Sequence, residues 1–85
     1  MIMRRVIVGD SRGIHALVAH RLLAEGDRFQ SSIFLSYGGR TASLRNPVAV
    51  LALGVPGGRE LELRADGADE IEAASAVALL LEGGG

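Results

Sequence analysis

His15 is the residue whose type and placement most suggest chemistry. The apolar residues Leu17, Val18, Ala19 and Leu22 fall on helical spacing from Ala16 to Glu25, and Gly26 stands where a C′ residue should stop the helix. His15 then takes the N-cap, where Ser, Thr, Asp or Asn normally accepts a bond from an orphan backbone N–H. An imidazole at that point lies beside the amides of Ala16, Leu17 and Val18, an anion site strengthened by the helix dipole. Gly13 lets the preceding loop approach closely, and Arg12 adds a positive charge. Together these parts suit holding a phosphoryl group on the histidine itself: the free amides bind its anionic oxygens, and the ring nitrogen remains a good leaving group. The spacing is equally met by a histidine that tolerates the cap position without any role.

Other titratable groups offer less. His20, five residues on, is rotated by about 140° on a helix, so it and His15 cannot ligate one metal from one face. It reads as a surface histidine. Glu60 and Glu62 alternate with Leu61 and Leu63 and read as the solvated face of a strand, while Glu70 and Glu72 suit the first turn of a helix. Neither pair suggests acid–base catalysis, and no metal or cofactor site is expected.

The chain has 85 residues, no cysteine and no lysine; its nine basic residues are all arginine. These absences exclude a disulfide scaffold, a cysteine nucleophile, cysteine-type zinc sites, Schiff-base chemistry and the phosphate-binding loop that needs lysine. Hydrophobic residues make up 48% of the chain, yet only Phe29, Phe34 and Tyr37 are aromatic, so the core must be aliphatic. A net charge of −1 hides an asymmetry: residues 1–46 carry seven arginines against three carboxylates, and residues 47–85 two arginines against seven. An anionic ligand or acidic partner should therefore approach the first half. No apolar run reaches the roughly 18 residues of a membrane span, and the N-terminus lacks a signal-peptide pattern, so a cytoplasmic protein without membrane insertion is expected.

The elements that must position His15 are short and punctuated by glycine. Arg4 to Val8 is a β-branched strand; Ser31 to Tyr37 and Arg40 to Leu44 form a hairpin about Gly38-Gly39. Asn46-Pro47 starts a short helix over 47–53, with Asn46 as N-cap and Pro47 at N1. A strand carries Leu61 and Leu63, and Asp69 with Glu72 makes a capping-box variant for a last helix whose inner face holds Ile71, Ala74, Ala78 and Leu81. The final glycines, residues 83–85, read as a frayed end. The order β-α-β-β-α-β-α predicts one domain over residues 1–85, a two-layer α/β (α+β) sandwich with an antiparallel four-stranded sheet and helices on one face.

With these residues in place, the segment Gly13-Ile14-His15-Ala16-Leu17-Val18-Ala19 resembles the Gly-Leu-His-Thr-Arg-Pro-Ala motif of the HPr family, the histidine-containing phosphocarriers of the phosphoenolpyruvate-dependent sugar phosphotransferase system. The likeness covers essentially the whole chain: Gly38 to Ser43 falls at the family's hairpin, Val50 to Gly54 at the end of its second helix, and Glu60 to Gly67 at its fourth strand. The resemblance implies an open-faced β-sandwich and a carrier, not a turnover enzyme, that acts as a monomer. His15 would take phosphate from enzyme I, through Nδ1, and pass it to enzyme IIA domains, with no cofactor.

Two motif positions depart from the family. Leu17 stands where an arginine steadies the phosphoryl group, and Val18 stands where proline is usual. Losing a charge-assisted arginine contact, worth about 1.5–3 kcal/mol, would slow transfer by tens- to hundreds-fold. Arg12, or Arg21 on Leu17's helix face, is the available substitute. Asn46 stands at the serine that a kinase modifies in some members, so the cap is kept and the switch lost. By resemblance, partners would dock on Ala16, Leu17, His20, Pro47, Val48 and Leu51. A divergent regulatory or interaction module with weak or no transfer is the competing reading, on the strength of Leu17 and Val18. A nucleic-acid-binding sandwich is disfavoured by three aromatics and a slightly negative charge.

Overall fold

In the structure, a computed structural model describing residues 1–83, three helices cover one face of a four-stranded antiparallel sheet. The elements run β1 (Ile2–Ile7), α1 (Ala16–Gly26), β2 (Ser32–Tyr37), β3 (Arg40–Ser43), α2 (Pro47–Ala52), β4 (Glu60–Asp66) and α3 (Glu70–Leu81). The expected β-α-β-β-α-β-α order and open sheet are therefore present. Strand order across the sheet is β1-β4-β2-β3, so the last strand of the chain enters between the first and the second.

Alternation within each strand decides which face the helices cover. Val6 pairs with Leu61, Leu35 with Leu63 and with Ala42, and Ile33 with Ala65; all of these are buried. The opposite face carries Arg5, Glu62, Ser36 and Thr41 in one cross-sheet row, as an antiparallel sheet with one wet face should. Arg64 lies over the Phe34 ring on that face, 5.8 Å from its centroid. Helix α3 packs on β1, β4 and β2, α2 on β3, and α1 contacts both other helices. Ala19 and Leu22 of α1, Val50 of α2, and Ala73, Ala74, Val77, Ala78 and Leu81 of α3 complete a core with no aromatic residue among its fully buried members.

Several boundaries differ from the sequence reading, each for a local reason. Strand β1 starts at Ile2 because β4 continues to Asp66 and gives it partners. Gly26 stays inside α1, buried against Leu44, and Asp27 ends the helix. Asp69 does not cap α3 with its side chain. Its carboxylate instead accepts from the Gln30 and Ser31 amides, each at 2.9 Å, and from the Ser31 hydroxyl, tying the α1–β2 connection to the start of α3. Those bonds hold the Asp69 carboxyl below its ordinary pKa. Glu70, not Glu72, takes up the nearby turn by accepting the Gly67 N–H, and it also pairs with the N-terminal amine at 2.8 Å. Ala74, Ala78 and Leu81 face inward as expected, whereas Ile71 points outward and Ala73 and Val77 complete the inner face of α3. Of the three final glycines, Gly83 bonds back to Leu80 and the other two lie outside the described residues.

Leu63 sits fully buried in the middle strand pair of the sheet, facing Arg4 on one side and Leu35 on the other. Leu63→Ala should lower unfolding free energy by about 2–5 kcal/mol, measured by denaturant titration, because a cavity there cannot collapse from either flank.

Candidate functional site

The N-terminus of α1 is built by a loop held from two sides. Val8, just after β1, is bonded to the segment before β4: its N–H donates to Arg59 O at 3.0 Å and its carbonyl accepts the Gly58 N–H at 2.8 Å. Gly9 N–H donates to Leu81 O at the end of α3, and Ile14 N–H to Val55 O at 3.0 Å. Gly13 has φ +72°, and a Cβ there would strike Val55 O, so glycine is required both by conformation and by space. The loop is thus backbone-bonded to residues 55–59 directly before His15.

His15 takes the N-cap as expected, with extended φ −94° and ψ −179°, and its carbonyl accepts the first helical bond from Ala19 at 2.9 Å. Its side chain makes no cap bond. The amides of Ala16, Leu17 and Val18 accordingly have no acceptor among the described residues. Imidazole Nε2 instead lies 3.1 Å from Asp10 Oδ2, and the side chain is 24% exposed. Nδ1 has no hydrogen-bond partner among the described residues. One ring nitrogen is therefore engaged and the other is available, beside three unpaired N–H groups at the positive end of an eleven-residue helix.

Asp10 is the residue that sequence reasoning missed. Its Oδ1 accepts the Arg12 N–H at 2.8 Å, an Asx turn that folds the carboxylate back over the loop. The same turn brings in the Arg12 side chain, whose Nε and Nη2 lie 3.4 Å from the two carboxylate oxygens. The Arg12 amide, then His15, then the Arg12 guanidinium hold the Asp10 carboxyl down to about 2. Without a phosphoryl group on the ring, the Arg12 guanidinium is paired with Asp10. A sequence signal for this turn exists, since an aspartate opening a loop and followed at i+3 by glycine suits a turn.

The remaining named residues divide by exposure. Ala16, Leu17 and His20 are exposed on α1, and Val48 and Leu51 on α2, with Leu17 at 49%, Val48 at 75% and Leu51 at 38%. Leu17 thus leaves the core face that helical spacing assigned it. Pro47 and Val18 are half-buried. Asn46 caps α2, its Oδ1 accepting the Ala49 N–H at 3.2 Å. Arg21 lines a groove of about 270 Å³ with Val8, Asp10, Val18 and the end of α3, on the Asp10 side of the helix. No helix is long and apolar enough to cross a membrane, and among the described residues no cluster could hold a metal.

A carboxyl whose pKa is depressed on folding contributes stability above its ordinary value and loses it as pH falls through the folded value. The Asp10 carboxyl carbon, followed by NMR, should therefore titrate near 2. A midpoint in the usual carboxylate range would show that the Arg12 and His15 bonds are absent. Gly13→Ala should destabilise the protein by about 1–2 kcal/mol from left-handed backbone alone, and by more once Val55 O is displaced, measured by thermal unfolding.

Comparison with known proteins agrees with this geometry. The family described as PTS HPr component phosphorylation site matches residues 2–83. Among solved structures, HPr-C-His from Thermoanaerobacter tengcongensis superposes with a TM-score of 0.91 at 26% identity, covering 99% of this chain and 94% of that one. The histidine-containing phosphocarrier protein of Mycoplasma gives 0.85 at 28%, covering 93% and 90%. The Bacillus subtilis catabolite repression protein Crh, an intertwined dimer with a swapped domain, gives 0.80 at 30%, covering 99% and 97%. With a dimer among these neighbours, the expected monomer gains no support from them. The family match over nearly the whole chain, joined to the same fold and a histidine at the head of α1, places this chain in the HPr family of phosphocarrier proteins of the phosphotransferase system.

Proposed function

We propose that this protein carries a phosphoryl group on His15, taking it from enzyme I and giving it to an enzyme IIA domain. The observation that supports this most is the partly exposed imidazole with one unengaged nitrogen beside three unpaired helix amides. In the transfer step the Nδ1 lone pair attacks the donor's phosphorus, the new N–P bond forms, and the donor's own bond to phosphorus breaks with its electron pair returning to the donor. The reverse sequence at the acceptor restores the imidazole. The amides of Ala16, Leu17 and Val18 bind the phosphoryl oxygens in the resting phosphoprotein, aided by the helix dipole. A small half-open site suits this work, because the same atom must meet two proteins in turn.

The exposed apolar side chains Leu17, Val48 and Leu51 on the adjacent helices α1 and α2, with Ala16, His20 and Pro47, form the docking surface in this reading. Large apolar groups left outside the core on neighbouring elements are what a recognition surface requires. The arginine-rich first half adds electrostatic attraction to acidic partners, which raises encounter rates more than affinity.

Incubation with phosphoenolpyruvate, magnesium and enzyme I from the same cell should label the protein with acid-labile phosphate, and His15→Ala should abolish the label. Absence of label in the wild type, with the protein still binding phosphotransferase components, would favour an interaction module over a carrier. Leu17→Arg restores a charged contact worth about 1.5–3 kcal/mol, so the transfer rate should rise about ten- to a hundredfold in stopped-flow assays.

A further inference from the structure

Asp10 is absent from the family motif through which His15 is recognised, yet it makes the only side-chain hydrogen bond of that histidine among the described residues. We propose that Asp10 is a positioning residue that fixes the His15 ring with its proton on Nε2 and so presents Nδ1 as the reacting nitrogen; this rests on the carrier reading above.

An ionised carboxylate only accepts, so a contact of 3.1 Å between Nε2 and Oδ2 requires Nε2 to donate. Asp10 is ionised throughout the physiological range, since the Arg12 amide, the His15 ring and the Arg12 guanidinium hold its carboxyl down to about 2. In the neutral ring a proton on Nε2 leaves Nδ1 as the sole lone pair. When that lone pair attacks phosphorus, the product ring carries a positive charge shared between Nδ1 and Nε2–H, and Asp10 already faces that charge. When the phosphoryl group departs to an acceptor, the electron pair of the N–P bond returns to Nδ1 and the ring is again neutral with its proton on Nε2. Neither direction moves a proton. The carboxylate therefore serves acceptance and donation equally, as a carrier requires and a one-way catalyst does not.

The loop construction makes the contact durable. Oδ1 is committed to the Arg12 N–H at 2.8 Å, which orients the carboxylate and leaves Oδ2 for the ring. The Asp10 carbonyl accepts the Gly13 N–H at 2.9 Å, closing the turn from the backbone side. Arg12 also sets a cation 3.4 Å from the carboxylate, offsetting the repulsion between Asp10 and an incoming phosphoryl group.

The test reads the ring directly, on protein labelled with nitrogen-15 in histidine and without any phosphate donor. Wild type should show Nε2–H in excess over Nδ1–H. In Asp10→Ala the tautomer ratio should fall about tenfold or more, the loss of one charge-assisted bond. In Asp10→Asn the oxygen can keep the Arg12 N–H while the amide NH2, a donor, replaces Oδ2 at the ring, so the tautomer should move toward Nδ1–H with the loop still folded. In transfer assays from phosphorylated enzyme I, Asp10→Ala should lower kcat with KM unchanged. An unchanged tautomer ratio in a folded Asp10→Ala protein, or a wild-type ring protonated on Nδ1, overturns the proposal. Failure of the carrier reading looks different: wild type then takes no phosphate from enzyme I, whatever the tautomer.

Discussion

The structure depends on holding residues 8–15 rigidly while leaving the ring at their end half open. Three contacts do this: Gly13 pressed against Val55 O, Ile14 N–H on the same carbonyl, and Gly9 N–H on the last turn of α3. Because the loop is bonded by its backbone to parts of the fold that are distant in sequence, His15 cannot shift without moving the 55–59 connection or the end of α3. The sheet and the aliphatic core act through this loop. Strand β4, inserted between β1 and β2, sets the height at which Val8 and Gly58 meet and hence where α1 begins.

A second constraint concerns charge. A helix N-terminus with three unpaired amides attracts anions, and the nearest carboxylate, Asp10, could have occupied them. It does not, because its two oxygens are taken by the Arg12 amide and by the His15 ring. The anion site thus remains open although an anion stands close by. In the carrier reading, Leu17 takes the place of a charged phosphate contact and leaves an exposed apolar side chain beside the site.

Much of this was legible in the chain. Glycines and strand alternation marked the elements, Asn46-Pro47 marked a helix start that the Asn46 to Ala49 bond bears out, and the position of His15 at the head of α1 followed from helical spacing. What was not legible came from long-range contacts. Asp69 looked like a cap for its own helix, but its carboxylate reaches Ser31 across the fold, a partner 38 positions away. Ile71 and Leu17 fit helical stripes by spacing, yet both face outward because neighbouring elements, not periodicity, decide which side of a short helix is covered. The pairing of the Arg12 guanidinium with Asp10 follows from an Asx turn that composition and charge do not reveal. Local patterns name elements; pairings between loops settle where charged side chains go.

The central claim is that His15 Nδ1 carries the phosphoryl group. Phosphorus–nitrogen correlation NMR on protein labelled with nitrogen-15 in histidine, after reaction with phosphoenolpyruvate and enzyme I, tests it most directly. The account predicts one phosphoramidate signal coupled to Nδ1 of His15, with Nε2 still bearing its proton. A phosphoryl group on Nε2, on His20 or on no histidine at all would contradict it.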